Sequence, residues 1–175
     1  AQLLIIRAGY GGEIDETFQK ILARVVSAQQ ENGQWEAGGQ LPSQKRPKLE
    51  TEEVSTMWNL LALHSVEEAA EQRPKLEEAA SKWLSSSELA QKKSAKSAEW
   101  FTARLLLEVK RGEEQSIALA RDELLKLQRA DGGWGWLTGS ESDALATGPA
   151  IYALTQSGLT GDDEPVRRAV TFLLE

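Results

Sequence analysis

The sequence predicts an all-α fold, and two observations support that prediction. Apolar residues recur at intervals of three and four through most of the chain, which is the spacing of one face of an α-helix. No stretch alternates apolar and polar residues as a half-buried strand does. The chain has 175 residues, 41% of them hydrophobic and 27% charged, so it is long enough to bury a core as a single domain.

Seven helices follow from this periodicity in chain order. The first is predicted from about Asp15 to Gln29, which leaves residues 1–14 as an N-terminal extension. Pro74 and Pro165 each suit the first turn of a helix, where a missing amide hydrogen costs little. Gly158 suits a helix end because glycine readily adopts positive φ. The other predicted boundaries are Thr51 to Val66, a start at Pro74, Ser94 to Lys110, Glu114 to Gln128, Asp143 to before Gly158, and Asp163 onward.

Composition excludes several functional classes. Twenty Lys and Arg stand against 27 Asp and Glu, and the net charge of −7 argues against a nucleic-acid or anionic-membrane binder. The chain has no cysteine and one histidine, His64, so disulfides, zinc–thiolate sites and multi-histidine metal sites cannot be built. No apolar segment approaches the roughly 20 residues of a membrane span. The sequence therefore predicts no cofactor and no membrane-spanning segment.

A repeated motif is the most informative feature of the sequence. Residues Gln29–Trp35 and Gln128–Trp134 both read Q-x-x-x-G-x-W and lie 99 residues apart. Downstream, Glu50–Thr56 matches Glu141–Thr147 at an offset of 91, so the first copy has eight extra loop residues. Each unit is a helical hairpin of roughly 45–50 residues, and a degenerate copy lies between the two clear ones. The chain is predicted to contain about three and a half hairpins.

The repeated motif lies where one predicted helix ends and the next begins. Its glycine permits positive φ or close backbone approach, and its glutamine amide can satisfy unpaired backbone groups at a helix end. The indole offers a large flat surface for packing. These properties favour a structural clasp between hairpins, and the alternative is an aromatic pocket for an apolar ligand or a cation. The predicted clasp residues are Gln29, Gly33, Trp35, Gln128, Gly132 and Trp134.

Such Q-x-x-x-G-x-W turns resemble the signature repeat of terpenoid cyclases of the squalene-hopene and oxidosqualene type, within the wider group of prenyltransferase and squalene-oxidase repeat proteins. Residues Arg168–Leu173 fit the opening half of that pattern, whereas Arg24 and Glu123 stand at its aromatic position. The resemblance covers the chain from about Thr17 onward. It implies an α/α toroid, here an incomplete ring formed by residues 15–175 as part of a longer protein.

The sequence does not contain the reaction motifs of the families it resembles. A D-x-D-D acid motif of the squalene-hopene type is absent, and Asp162 and Asp163 before Pro165 suit a helix start. The zinc site of protein prenyltransferases and the thioester of complement-type domains both need cysteine. His64 is expected to interact with the negative end of its helix dipole.

Two repeated pairs of polar residues form a second candidate site. Glu52 with Thr56, and Asp143 with Thr147, fall in the predicted first turns of the second helix of each unit. They are candidates for a concave rim if that helix lies in an inner ring, and N-capping is the alternative. Two carboxylates across a cleft would instead suit a glycosidase. The basic segment Gln44–Lys48 is interpreted as a surface excursion rather than an anion site.

These observations favour a non-catalytic repeat module that binds an apolar small molecule or a protein partner. An open arc would expose apolar edges, so other domains of the same longer protein or a second copy are expected to cover them. The first alternative is part of a terpenoid cyclase, an isomerase or lyase acting on squalene-like polyprenoids, whose catalytic acid lies outside this chain. The second is a fragment of a carbohydrate-active α/α barrel.

Overall fold

The fold is all-helical, which confirms the predicted class. The structure, a computed structural model, describes residues 1–11, 15–38, 46–87, 89 and 95–175. Within these residues there are eight bounded α-helices, one short 3-10 helix and no strand. The chain divides into two compact units, which are Ala1–Pro42 with Pro47–Ser94 and Ser43–Arg46 with Ala95–Glu175.

The first unit is built around a central helix that packs against two others. Asp15 begins the second helix of the unit by accepting a hydrogen bond from the Phe18 amide (3.0 Å), which satisfies one of the unpaired donors at a helix start. The central helix is the third of the unit; it packs against the first and the fourth and contributes more buried apolar residues than any other helix there. The helices are α1 (Gln2–Gly9), α2 (Glu16–Ser27), α3 (Lys48–Ser65) and α4 (Arg73–Ser86), with the 3-10 helix Glu67–Ala69 before α4.

Helix α1 lies inside the region predicted to be an N-terminal extension. Leu4 is fully buried, and the helix packs against α3, so these residues belong to the core of the first unit. Leu3 to Ile6 form an unbroken apolar run with no polar face. Such a run shows no helical periodicity, which is why the sequence did not indicate a helix here.

The second unit repeats this arrangement. Ser97 caps its first helix by accepting a hydrogen bond from the Trp100 amide (3.3 Å), and Gly112 ends that helix with φ of +78°. Helix α5 packs against both α6 and α7, and α7 packs against α8. The helices are α5 (Ala98–Arg111), α6 (Glu114–Leu125), α7 (Ala144–Gln156) and α8 (Glu164–Leu174).

One helix boundary differs from the prediction in a way that matters for the site. Helix α3 begins at Lys48 because Pro47, at the N-cap with φ of −56°, already has a backbone suited to a helix start. Glu52 therefore lies in the second turn of α3 rather than in its first. Helix α7 begins where predicted and continues through Pro149, which has no amide hydrogen to donate to the carbonyl of Leu145. None of the helices described is both long and apolar enough to cross a membrane.

Candidate functional site

The two Q-x-x-x-G-x-W motifs form turns with the same set of hydrogen bonds. We call Gln29–Trp35 turn A, which follows α2, and Gln128–Trp134 turn B, which follows α6. Turn A lies wholly in the first unit and turn B wholly in the second. The hydrogen bonds that each turn makes are therefore described within its own unit.

In turn A, the Gln29 amide joins the turn to helix α4. Its Nε2 donates to the carbonyl oxygen of Gly33 (2.9 Å) and to that of Leu76 in the first turn of α4 (2.8 Å). One NH₂ group thus uses both of its hydrogens on backbone acceptors. The side chain holds the turn closed and fixes the start of α4 against it.

Trp35 anchors turn A in two further directions. Its indole Nε1 donates to the carbonyl oxygen of Val25 (2.7 Å) in the last turn of α2, which also accepts a longer hydrogen bond from the Ala28 amide (3.4 Å). Its backbone amide donates to the Thr56 hydroxyl (3.0 Å) in α3. Trp35 and Thr56 are both buried, so the tryptophan joins the end of α2 to the middle of α3.

Turn B repeats each of these contacts. The Nε2 of Gln128 donates to the carbonyl oxygen of Gly132 (2.8 Å) and to that of Pro165 in the first turn of α8 (2.8 Å). Trp134 is fully buried. Its indole and backbone N–H groups donate respectively to the carbonyl oxygen of Leu124 (2.9 Å) and to the hydroxyl of Thr147 (3.0 Å).

The glycine of each turn lies against the backbone of another helix, α4 for turn A and α8 for turn B. Gly33 and Gly132 have φ of +97° and +92°, a region that side-chain-bearing residues seldom adopt. A Cβ atom on Gly33 would lie 2.2 Å from the Ala79 carbonyl oxygen, and one on Gly132 would lie 2.6 Å from that of Arg168. Glycine is therefore required at both turns for its backbone conformation and for its lack of a side chain.

The four candidate rim residues have structural partners. Thr56 and Thr147 are fully buried, and their hydroxyls accept the tryptophan amides, so neither lies on an open surface. Asp143 caps α7, with one oxygen accepting from the Ala146 amide (2.8 Å) and the other from the Trp136 amide (2.9 Å). Glu52 pairs with Lys48 at 3.5 Å. Glu52 belongs to the first unit and Asp143 to the second.

A buried cation was missed by the sequence analysis. The Arg46 side chain is only 7% exposed, forms an ion pair with Glu99 (2.5 Å) and lies over the Trp136 ring, 5.2 Å from its centroid. The interpretation of this basic segment as a surface excursion is therefore wrong for Arg46, whereas Lys48 is exposed. Gln44 and Lys45 lie outside the described residues. The sequence did offer one signal of this burial, which is that Arg46 stands between two lysines. A guanidinium stacks on an indole better than an ammonium does.

The remaining titratable candidates also have local partners. His64 Nε2 lies 3.0 Å from Glu77 Oε2, which joins the end of α3 to α4. The Asp163 carboxylate accepts hydrogen bonds from the backbone amide and the hydroxyl of Thr160, and these bonds lower its pKa. Among the residues for which the structure gives positions, no three His, Asp or Glu side chains are grouped to hold a metal ion.

Comparison of the chain with protein-family models, with curated proteins and with solved structures gave no match.

Proposed function

We propose that this chain is a non-catalytic helical-repeat module that binds a partner through an exposed apolar face of helix α7. The helix contains no charged residue. Leu145 is 66% exposed and Tyr152 53% exposed, and Pro149 between them is exposed as well. Their spacing of four and three residues places them in one stripe along the helix. We call Leu145, Pro149 and Tyr152 the α7 stripe.

The observation on which this proposal rests is the burial of the same positions in another helix. Thr56 and Thr147 accept equivalent hydrogen bonds, so they fix a common register for α3 and α7. In that register Leu145 corresponds to Val54 and Tyr152 to Leu61, and each of those α3 residues is only 3% exposed. If Thr102 of α5 is aligned with these threonines, Trp100 corresponds to Leu145 and Leu107 to Tyr152. Both of these α5 residues are also buried.

These positions are thus core positions of the repeat that α7 alone leaves exposed. An exposed patch of apolar side chains, at positions that are buried in the equivalent helices α3 and α5, is typical of a binding surface.

The non-catalytic part of this proposal is supported by the structural hydrogen bonds that the candidate polar residues make. Gln29 and Gln128 bind backbone carbonyls, Thr56 and Thr147 accept tryptophan amides, and Asp143 caps a helix. A side chain that satisfies a buried backbone group cannot leave it without cost. These residues are therefore poorly placed to act on a substrate.

An α/α toroid of the squalene-cyclase type is the architecture that we propose for this module. Its support is the order of packing, because each unit pairs helices two positions apart, α1 with α3 and α5 with α7. A second support is that turns A and B tie successive outer helices together in the same way. Helices that alternate between two layers in this manner are typical of helical-hairpin repeats.

The test of the proposed function is an apolar-surface measurement at low protein concentration. An anilinonaphthalene-type fluorophore should bind the wild-type chain, and the double variant Leu145→Gln with Tyr152→Gln should lose most of that signal. Leu119→Gln is the matched control, since Leu119 is an isolated exposed leucine on α6. Equal dye binding by the wild type and the double variant, with the fold intact by circular dichroism, would refute an α7 binding face.

A terpenoid-cyclase activity is the second candidate, and the repeated turns are the observation that favours it. Incubation of the chain with squalene in detergent, followed by mass-resolved chromatography, tests whether the chain by itself has this activity. We expect squalene to be recovered unchanged. A cyclised product formed by the chain alone would replace the non-catalytic proposal with an enzymatic one.

A further inference from the structure

A second apolar stripe lies on helix α1. Leu3 is 60% exposed, Ile6 57% and Tyr10 85%, and they are spaced by three and four residues. They therefore follow one side of the helix, while Leu4 on another side is fully buried in the first unit. We call Leu3, Ile6 and Tyr10 the α1 stripe. It is the same length as the α7 stripe, since each spans seven residue steps.

Neither stripe is interrupted by a free charge. Helix α7 has no charged residue, and α1 has only Arg7. The Arg7 guanidinium donates to the carbonyl oxygen of Gly11 (2.6 Å) and lies 5.9 Å from the centroid of the Phe18 ring. The two stripes can therefore be brought together without burying an unpaired charge, which would be costly.

The packing inside each unit indicates which surfaces match. Helix α1 packs against α3 in the first unit, and α5 packs against α7 in the second. In each pair a helix meets the one that lies two positions further along the chain. Contacts of this kind in a repeat protein join unlike faces, since the leading side of one repeat meets the trailing side of the next. A helix that packed on the exposed face of α7 in the same way would have to present the face that carries the α1 stripe.

We infer that this partner is a second copy of the chain, bound head to tail, with the α7 stripe of one copy packed on the α1 stripe of the other. The inference rests on the proposed function, because it names the partner of the α7 face. The contact continues the helix-to-helix packing that already exists within each unit. It is a heterologous contact, in which two different surfaces of the same protein meet.

The test is sedimentation equilibrium of the chain from micromolar to millimolar concentration. The wild-type average mass should rise with concentration. Leu145→Lys with Tyr152→Lys should weaken association by at least about 100-fold, and so should Leu3→Lys with Ile6→Lys, because each places charges in a buried apolar contact. Leu119→Lys should associate as the wild type does. Circular dichroism must show the same helix content in all four proteins.

Mixing the two double variants distinguishes a head-to-tail contact from a symmetric one. Each variant retains one intact stripe, so the mixture should form a one-to-one dimer that neither forms alone. Self-association of the α1 variant by itself would point to an α7-to-α7 contact and overturn the inference. A wild-type chain that stays monomeric throughout the range would also overturn it, even if the fluorophore still bound the α7 stripe and the proposed function stood.

Discussion

Turns A and B make the same inner contacts and differ in the contacts around them. In both, a glutamine, a glycine, a tryptophan and a threonine make equivalent bonds at nearly equal distances. Turn B adds the Arg168 guanidinium, which donates to the carbonyl oxygens of Arg129 (2.8 Å) and Ala130 (3.0 Å). At the equivalent position α4 has Ala79, three residues after Leu76 as Arg168 is three after Pro165.

This difference shows which bonds define the turn. The shared bonds fix how α4 is held at the end of α2 and how α8 is held at the end of α6, so they set the same geometry in both units. The added arginine bonds support turn B alone and leave that geometry unchanged.

Substitution of the turn glycines should have the largest effect, and it should affect both turns. Gly33→Ala and Gly132→Ala should each lower the free energy of unfolding by about 2–3 kcal/mol, since each adds backbone strain and a clash with a carbonyl oxygen. Gly139→Ala is the matched control. Gly139 has φ of +89° but open space around its Cβ position, so only the strain of about 1 kcal/mol applies. Urea denaturation measures all three, and equal losses would show that the helix contact is unimportant.

Replacing the glutamine amide should have the next largest effect. Gln29→Glu and Gln128→Glu keep the shape but replace the NH₂ donor with an oxygen that faces two carbonyls. We expect each variant to lose about 1–2 kcal/mol of unfolding free energy. The amides of the helix that the glutamine contacts, α4 or α8, should exchange with solvent faster. Gln30→Glu, at an exposed neighbour, is the control and should change little. A loss confined to one turn would contradict the equivalence of A and B.

Removal of the arginine should affect turn B alone. Arg168→Ala removes two hydrogen bonds and should cost about 1 kcal/mol, a modest value because the guanidinium is partly exposed. Hydrogen exchange should quicken around turn B and stay unchanged around turn A. The reciprocal change Ala79→Arg tests whether turn A can accept the same support. Faster exchange at both turns in Arg168→Ala would mean that the arginine acts beyond its own unit.

The smallest difference between the turns should be one of pH dependence. Hydrogen bonds from the Ser142 hydroxyl and the Gly133 amide lower the pKa of Asp131 below its ordinary value of 3.8. A carboxyl whose pKa is lower in the folded state stabilises the fold above its unfolded pKa, and this contribution disappears as the pH falls through the folded pKa.

Asn32 occupies the equivalent place in turn A and does not titrate. Acid should therefore lower the hydrogen-exchange protection factors of the amides at turn B more than those at turn A. Asp131→Asn should remove this difference, and Asn32→Asp should give turn A the same dependence. An acid response that persists in Asp131→Asn would assign it to another carboxyl.

Local chemistry explains which parts of this structure could be predicted from sequence. Helical periodicity gave the fold class, and the spacing of glutamine, glycine and tryptophan indicated a turn at a helix end. The hydrogen bonds of Gln29 and Gln128 are of that kind. Each glutamine also binds a carbonyl that is distant in sequence, that of Leu76 or Pro165, which lie 47 and 37 residues away. Nothing local to a glutamine specifies such a contact.

Burial of polar groups was the harder part to predict. Thr56 and Thr147 were expected as rim residues because a threonine near a helix start is usually a cap or a surface group. Their burial depends on the tryptophan that each meets, which is a tertiary contact. Arg46 is buried for a similar reason, because Glu99 and Trp136 come from distant parts of the chain.

The position of the eight extra residues after turn A has a practical consequence for protein engineering. The bonds of turn A are complete at Trp35, and those of turn B at Trp134, before the chain goes on to the next helix. The repeat thus allows connections of different length at this place. Gly38 is exposed, with open space around its Cβ position. An epitope tag or a small reporter domain inserted beside Gly38 should leave the turns and both units folded.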